Sequence, residues 1–434
     1  MEVHSAGRGV RMVVGLALGL LGCATTPAAQ GRREAPPAVR PGITVLLEDS
    51  LTLIAGKRVA LVTNQTGVDA TGASDADLLT RDARVRRANV RLVRLFSPEH
   101  GIRGTADVAN LPNEVDAATG LVVHSLYRSE TVPPPDSLLR DLDALIFDLQ
   151  DIGTRTWTYV GLLVYAMRAA ARADIAFIVL DRPNPLSGRV EGPLLQASLA
   201  NAEDPAPGRR GLAYALYPLP LRHGMTMGEM ARFYAAALDI PVRLHVMPMD
   251  GWRRSMYWED TKLPWVVPSP AMVSTSSALL YPALVAFERA NVSVGRGTDR
   301  PFQRFGAPWM DADSVAALLQ DRRLSGVHFE VERVTPQRPT DGKFGGQAIP
   351  SVRMVIDDPA RVQVARVGAA ILWALGRVHG DSLRITERGF DERLGDAAVR
   401  QALLRGEDPD EVVDRFLPSV VAFEQATRRF QLYR

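Results

Sequence analysis

Between residues 58 and 181 the chain repeats one pattern: a short run of Val, Ile, Leu and Phe, a polar cluster, then a helical stretch. The runs are RVALVT (58–63), VRLVRLF (90–96), LIF within 144–149 and IAFIVL within 175–181. Runs this apolar fit strands covered on both faces, and such strands separated by helices make a largely parallel sheet. Further strands are expected at 120–127 and in VRLHVMPM, and helices over about 74–88 and TYVGLLVYAMRAAARA. TMGEM has Thr226 and, three residues on, Glu229, the spacing of a capping box that opens a helix reaching about residue 238. Beyond about 280 the signals are mixed: VRMVIDD as a strand, an amphipathic stretch at 360–379, and a C-terminal helix and tail. The expectation is an α/β domain with a mainly parallel sheet over 42–280, followed by a smaller α+β domain over 281–434.

Four of the expected strands end in polar clusters: Asn64-Gln65-Thr66, Glu99-His100 within SPEHGIRG, Asp148 with Gln150 and Asp151, and Asp181-Arg182 with Asn184. Ligands of open parallel sheets bind beyond the carboxyl ends of the strands. If these strands are parallel, all four clusters line one rim. Each is also ordinary turn and capping chemistry; it is four of them on one edge that points to a site. TNQTG is no Gly-x-Gly-x-x-Gly, and there is no Gly-Lys-Ser/Thr loop, which leaves nucleotide binding weakly supported. A Gly-x-Ser-x-Gly elbow is missing too, which disfavours a serine hydrolase. His100, Asp148 and Asp151 would have to meet for a metal site, but His-x-x-x-His and clustered-cysteine spacings are lacking; no metal or cofactor is expected. His124 and His245, in apolar strand patterns, are expected to be packed core residues.

Carboxylates with many Arg and aromatic residues fit glycoside chemistry. Cleavage commonly needs a carboxylic acid at the leaving oxygen and a second group on the other face of the sugar. Glu99, at a proline-kinked strand end, is the candidate general acid. Trp157, Tyr159, Trp252, Trp265 and Trp309 are either sugar-stacking platforms or packing residues. A net charge of +2 gives no argument for nucleic acid as a partner.

The first thirty residues point to a cell envelope. Arg8 and Arg11 precede an apolar stretch from Met12 to Leu21, too short to span a membrane comfortably and laid out as a secretory signal. LLGC resembles the bacterial lipobox, in which the Cys is acylated and becomes the mature N-terminus. Residues 1–23 then form a signal peptide, Cys23 the lipid attachment point and 24–41 a disordered tether. Cys23 is the sole cysteine, so the chain has no disulfide framework and no catalytic thiol. With Ala24 following it, the expected place is the periplasmic face of the envelope, anchored in the outer membrane.

SPEHGIRG, DLQDIGTRTWTY, DRPNP, HGMTMGEMA, NVSVGRGTDRPFQRFGAPW and the ending FQLY occur here in the order found in the exo-acting β-N-acetylmuramidases of the NamZ type. The resemblance runs from about residue 43 to the C-terminus. It implies a Rossmann-like domain joined to a C-terminal auxiliary domain with the cleft between them, and removal of N-acetylmuramic acid from the non-reducing end of peptidoglycan fragments. By the same resemblance Glu99 and His100 fall in the motif that carries the catalytic acid. Asp148, Gln150, Asp151, Arg155 and Tyr159 fall in the second motif, and Asp181, Arg182 and Asn184 in the third. Glu288, Asn291, Arg296 and Thr298 come from the segment that would reach the cleft from the second domain. Asp148 or Asp151 would orient the sugar or assist its second face, and Asn64, Gln65 and Arg103 complete the binding set. Two positions depart from the family pattern: Ala271 stands where Asn is usual and Val294 where Glu is common. Muramic acid carries a lactyl carboxylate, which a bidentate Arg would read; Arg103, Arg155, Arg182 and Arg296 are the candidates. Two alternatives remain at this point: a tethered lipoprotein that binds muropeptides without cleaving them, and a metal-dependent hydrolase using His100, Asp148 and Asp151.

Overall fold

The apolar runs become the strands of one seven-stranded sheet. In chain order they are β1 (Arg58–Thr63), β2 (Arg91–Ser97), β3 (Glu114–Val115), β4 (Val122–Ser125), β5 (Ala144–Asp148) and β6 (Ala176–Leu180). A two-stranded ribbon follows, β7 (Glu191–Leu194) with β8 (Pro220–Arg222), and then the seventh strand, β9 (Arg243–Met247). The computed structural model describes residues 38–104, 110–127, 132–200 and 216–434. The expected signal peptide, Cys23 and the tether up to residue 37 lie outside the described residues.

The sheet order is β3-β4-β2-β1-β5-β6-β9, parallel throughout except for β3 at one edge. Leaving β3 aside, the strands run third, second, first, fourth, fifth, sixth, which is the Rossmann order, with its reversal between β1 and β5. Side chains alternate across the sheet with the period of two that strand geometry imposes. Ala60, Val62, Leu145, Phe147, Phe177 and Val179 face the helix Thr158–Arg172 and the larger core. Val59, Leu61, Ile146 and Ile178 face the other layer, with Ile43 and Leu46 of the first helix. Both faces are covered, which is why these strands read as unbroken apolar runs.

The rest of the chain is α+β, as expected. β10 (Arg304–Gly306), β11 (Val327–Val334) and β12 (Ile349–Ile356) form an antiparallel sheet in the order β10-β12-β11. The helix Val364–His379 crosses the helix Thr275–Leu284 closely enough that a Cβ at Gly368 would lie 2.9 Å from the carbonyl oxygen of Ala283. The larger core is continuous from Leu145 and Tyr159 to Phe305, Val352 and Leu372, and residues 38–434 make one compact unit.

Three expectations need correcting. The helix expected at 74–88 is two, Asp75–Arg81 and Ala83–Arg87, because Asp82 takes an extended conformation and its side chain accepts from the Arg84 N–H as a new N-cap. Residues 38–41, assigned to the tether, belong to the fold: Val39 is buried and bonds the Thr261 carbonyl, while Arg40 pairs with Glu48, Asp49 and Asp250. His245 is exposed, because β9 is an edge strand with one uncovered face; His124 is half-buried against the Phe96 ring.

The capping box at Thr226 and Glu229 forms with both reciprocal bonds. Its Thr226 hydroxyl also donates to Asp181 Oδ2 at 2.7 Å, alongside the Tyr433 hydroxyl at 2.6 Å; Gly228 N–H donates to Oδ1 at 2.8 Å. Burial pushes the Asp181 carboxyl up to about 7, against the downward pull of the hydrogen bonds from Tyr433, Thr226 and Gly228. A carboxyl raised on folding contributes stability that is complete below its unfolded value and lost as pH rises through its folded value. Urea unfolding between about pH 4 and 7 is therefore expected to show a decline of up to roughly 4 kcal/mol from this group. Asp181→Asn should flatten that decline; an equally steep profile in the variant would assign the slope to other groups.

Candidate active site

The parallel register brings the four polar clusters to one rim, with Thr63 of β1 opposite Asp148 of β5. Most of that rim is occupied by its own side chains. Asp148 is fully buried and held by Arg182, whose Nη2 donates to Oδ2 at 3.0 Å and to the Val68 carbonyl at 2.7 Å, while Nε donates to Oδ1. Asp75 lies 3.7 Å from the same guanidinium; burial, then the charge of Asp148, keeps its carboxyl well above the usual carboxylate range. Asn64 donates to the Tyr159 hydroxyl at 2.8 Å and accepts from both Thr66 N–H and its hydroxyl. Gln150 donates its side-chain amide to the carbonyls of Asp151 and Pro183, and Asn184 donates to that of Met225. Asp151 accepts from Gly153 N–H at 2.6 Å and faces His223 Nε2 at 3.2 Å.

Ligand-sized space lies to one side of this packing, in a cleft of about 570 Å³. Glu99 and His100 line it from the end of β2. The turn that brings them there is tight: Gly101 N–H bonds the Pro98 carbonyl at 3.3 Å, and His100 (φ 73°) and Gly101 (φ 76°) are both left-handed. A non-glycine residue in that region costs about 1–2 kcal/mol, so His100 is held there by its surroundings. Glu99 Oε1 accepts from the Thr158 hydroxyl at 2.5 Å, and its Oε2 has no hydrogen-bond partner among the described residues. Thr158 opens the helix Thr158–Arg172, whose N-cap, Trp157, makes no side-chain capping bond. Trp157 forms part of the wall, set edge-on against Tyr159 and Tyr281 at centroid distances of 5.5 and 5.9 Å.

The facing wall comes from the second half. Gly295 (φ 81°) and Gly297 (φ 77°) bracket Arg296, which donates through Nε and Nη2 to Glu288 Oε1 at 2.9 and 2.8 Å. Lys343 Nζ donates to three carbonyls, those of Phe287, Glu288 and Val292, at 3.0–3.1 Å, which fixes the short helix carrying Glu288 and Arg289. Burial lowers the Lys343 pKa. Asp341 and Arg393 close this side.

Two family models match the chain: the N-terminal part of exo-β-N-acetylmuramidase NamZ over residues 59–276, and its C-terminal part over 279–433. The chain belongs to the NamZ family. It is 33% identical over 411 residues, 94% of each chain, to the peptidoglycan β-N-acetylmuramidase NamZ of Bacillus subtilis. Two crystal structures of DUF1343 family proteins from Bacteroides fragilis share its fold. One is 31% identical with a TM-score of 0.79, the other 26% identical with a TM-score of 0.69; each match covers 92% of this chain and 99% of the other.

Against the NamZ motifs, the structure brings Glu99, His100, Glu288 and Arg296 together in the cleft and leaves the other expected residues behind its walls. Asp148 and Asp151 do not line it; their carboxylates are committed to Arg182 and to the Gly153 turn beside His223. Asp181, Arg182, Asn184, Asn64 and Gln150 build the rim beneath, and Gln65 bonds the Val267 carbonyl. Arg103 is paired with Asp116, and Arg155 is buried on the carbonyls of Glu392 and Arg393. Asn291 bonds the 382–384 loop, and Thr298 bonds the Gly295 carbonyl. Tyr159 is buried, and among the proposed platforms Trp157 alone reaches the cleft: Trp252 packs on Tyr433, Trp265 on Trp258 and Trp309 on His379. His100, Asp148 and Asp151 do not converge, and among the described residues no group of three His, Cys, Asp or Glu side chains is arranged to hold a metal ion.

Sequence reasoning missed Thr158, Arg289, Asp341, Lys343 and Arg393. Lys343 carried a signal, being one of three lysines in a chain that otherwise uses Arg. The buried Arg182 pair distinguishes a structural role from a binding one. Arg182→Met should lower unfolding stability in urea by about 3–5 kcal/mol, since it leaves buried carboxylate charge uncompensated. Unchanged stability with weakened sugar binding would return Arg182 to the ligand.

Proposed function

We propose that this chain is an exo-acting β-N-acetylmuramidase that removes N-acetylmuramic acid from the non-reducing end of peptidoglycan fragments, with Glu99 as general acid and base. The observation that carries the reading is the state of the Glu99 carboxyl in the cleft of a NamZ-family chain. Thr158 donates to Oε1, so the oxygen left to carry an acidic proton is Oε2. From there the proton passes to the glycosidic oxygen as its bond to the anomeric carbon breaks and the aglycone leaves as an alcohol; the carboxylate then takes a proton from the water whose oxygen bonds the anomeric carbon, which gives the free sugar and restores the acid. Trp157 and Tyr281 give the sugar a rigid apolar wall, and Ser269, Thr340 and Asp341 supply polar groups around it.

Glu99→Gln should reduce kcat on a natural muramyl disaccharide by roughly 100- to 10,000-fold. The loss should be smaller on a nitrophenyl β-N-acetylmuraminide, whose leaving group needs less protonation. Equal losses on both substrates would remove the acid role from Glu99. Binding of muropeptides by the wild-type chain with no turnover of either substrate would favour the tethered binder.

We also propose that residues 1–23 direct export and that Cys23 is acylated, tethering the fold to the periplasmic face of the envelope, next to its substrate. Support comes from the charged, apolar and LLGC segments in that order. In a host with two membranes, full-length protein should sediment with outer membranes and Cys23→Ser should appear in the soluble fraction. Sedimentation of the Ser variant with membranes would rule out the lipid anchor.

A further inference from the structure

We propose that Arg289 is the residue that recognises the lactyl carboxylate of the muramyl sugar, and so sets the preference for muramic acid over glucosamine. The inference rests on the exo-muramidase reading above.

Four cations line the cleft, Arg289, Arg296, Lys343 and Arg393, against the carboxyls of Glu99, Glu288 and Asp341. Four cations against three carboxyls leave the balance positive, which favours an anionic group on the ligand. Three of the cations are already engaged. Arg296 is bound to Glu288 through two nitrogens, Lys343 donates to three carbonyls, and Arg393 donates to the Gly389 carbonyl with its Nε 3.7 Å from Glu288. The side chain of Arg289 makes no hydrogen bond or ion pair with any described residue, and it is exposed at the cleft. The other arginines considered as carboxylate readers are unavailable: Arg103 is paired with Asp116, Arg182 with Asp148, and Arg155 is buried.

Arg289 is unpaired but not adrift. Its carbonyl accepts from Thr386 N–H at 2.7 Å, and its neighbour Ala290 bridges to Ile385. Its stem lies across Gly389: a Cβ there would stand 3.1 Å from Arg289 Cγ and 3.2 Å from Cδ. The missing side chain at Gly389 makes the seat for this stem, and Gly389 is a helix-interior glycine with no positive φ to explain it. A guanidinium with an ordered stem, no protein partner and a positive surrounding is suited to a bidentate carboxylate.

The test compares a nitrophenyl β-N-acetylmuraminide carrying the free lactyl acid with its neutral lactyl amide, using wild type, Arg289→Met and Arg289→Glu. Wild type is expected to prefer the acid. Arg289→Met should lower kcat/KM on the acid by roughly 10- to 100-fold, mainly through KM, and leave the amide within about twofold. Arg289→Glu should lower the acid further. Equal effects of Arg289→Met on acid and amide, or none on either, would overturn the assignment while leaving the enzyme class intact. Failure of the wild type to cleave either compound would overturn the exo-muramidase reading itself, and this inference with it.

Discussion

Arg182 decides where this molecule can keep a ligand. Its guanidinium is buried at the point where β5 and β6 end and the loop after β1 returns. Burying a cation costs several kcal/mol unless a charge and further acceptors meet it; here Asp148 supplies the charge and the Val68 carbonyl another acceptor. Asp75, the second carboxyl in reach at 3.7 Å, is held well above the usual carboxylate range by burial and then by the charge of Asp148. The consequence is spatial. The crevice at the β1–β5 reversal, where a Rossmann sheet ordinarily takes its ligand, holds Asn64, Gln150 and the Arg182 cluster. The open volume lies beyond β2, and of the four strand-end clusters Glu99-His100 is the one that lines it.

A second buried guanidinium joins the two halves of that cleft. Arg155 donates from Nη1 and Nη2 to the carbonyls of Glu392 and Arg393, at the C-terminal end of the helix Glu387–Leu394, where unpaired carbonyls favour a cation. Gly395 follows with φ 110°, and a Cβ there would come within 3.1 Å of both Arg155 Nη2 and the Pro193 carbonyl. Burial brings the Arg155 pKa down to about 9, the mark of a charge met only by dipoles. Arg155 stands three residues before Thr158, the partner of Glu99, while Arg393 reaches the cleft from the other side. This contact, with the Trp157–Tyr281 ring pair and the shared core, ties the wall that carries the acid to the wall that carries Glu288 and Arg289.

Much of the architecture was legible in the sequence because it follows from local rules. Runs buried on both faces cannot alternate, so β1, β5 and β6 announced themselves, and the parallel order then placed four polar clusters at one rim. The capping box at Thr226 is a spacing rule within four residues. What was not legible was the choice each polar residue makes among partners far away in the chain. Asp148 and Asp151 look as suited to chemistry as Glu99 does. Their difference is that Arg182 and His223 arrive beside them from 34 and 72 positions on, while Glu99 meets a hydroxyl in a cleft. Arg155, Arg182 and Arg296 were equal candidates for a carboxylate for the same reason. Burial on a carbonyl pair, on Asp148 or on Glu288 is a tertiary fact with no local pattern.

The cleft is ordered before any sugar enters it, and this bears on what it is for. Lys343 donates to the backbone carbonyls of Phe287 and Glu288 in one short helix and of Val292 just beyond it; Arg296 is fixed by Glu288 between two left-handed glycines; Trp157 is wedged between two tyrosine rings. Such groups lose little freedom on binding, so a ligand meets a wall whose polar atoms are already directed. Binding alone would be served by that much. The left-handed His100 adds a local cost of about 1–2 kcal/mol to the tight turn that directly follows Glu99. Strain of this kind persists where surrounding structure over-determines it and where one side chain must be held at a set place. Here that side chain is a carboxyl with one oxygen fixed by Thr158 and the other open to the cleft, an arrangement that suits proton transfer to a bound glycosidic oxygen better than it suits holding a sugar.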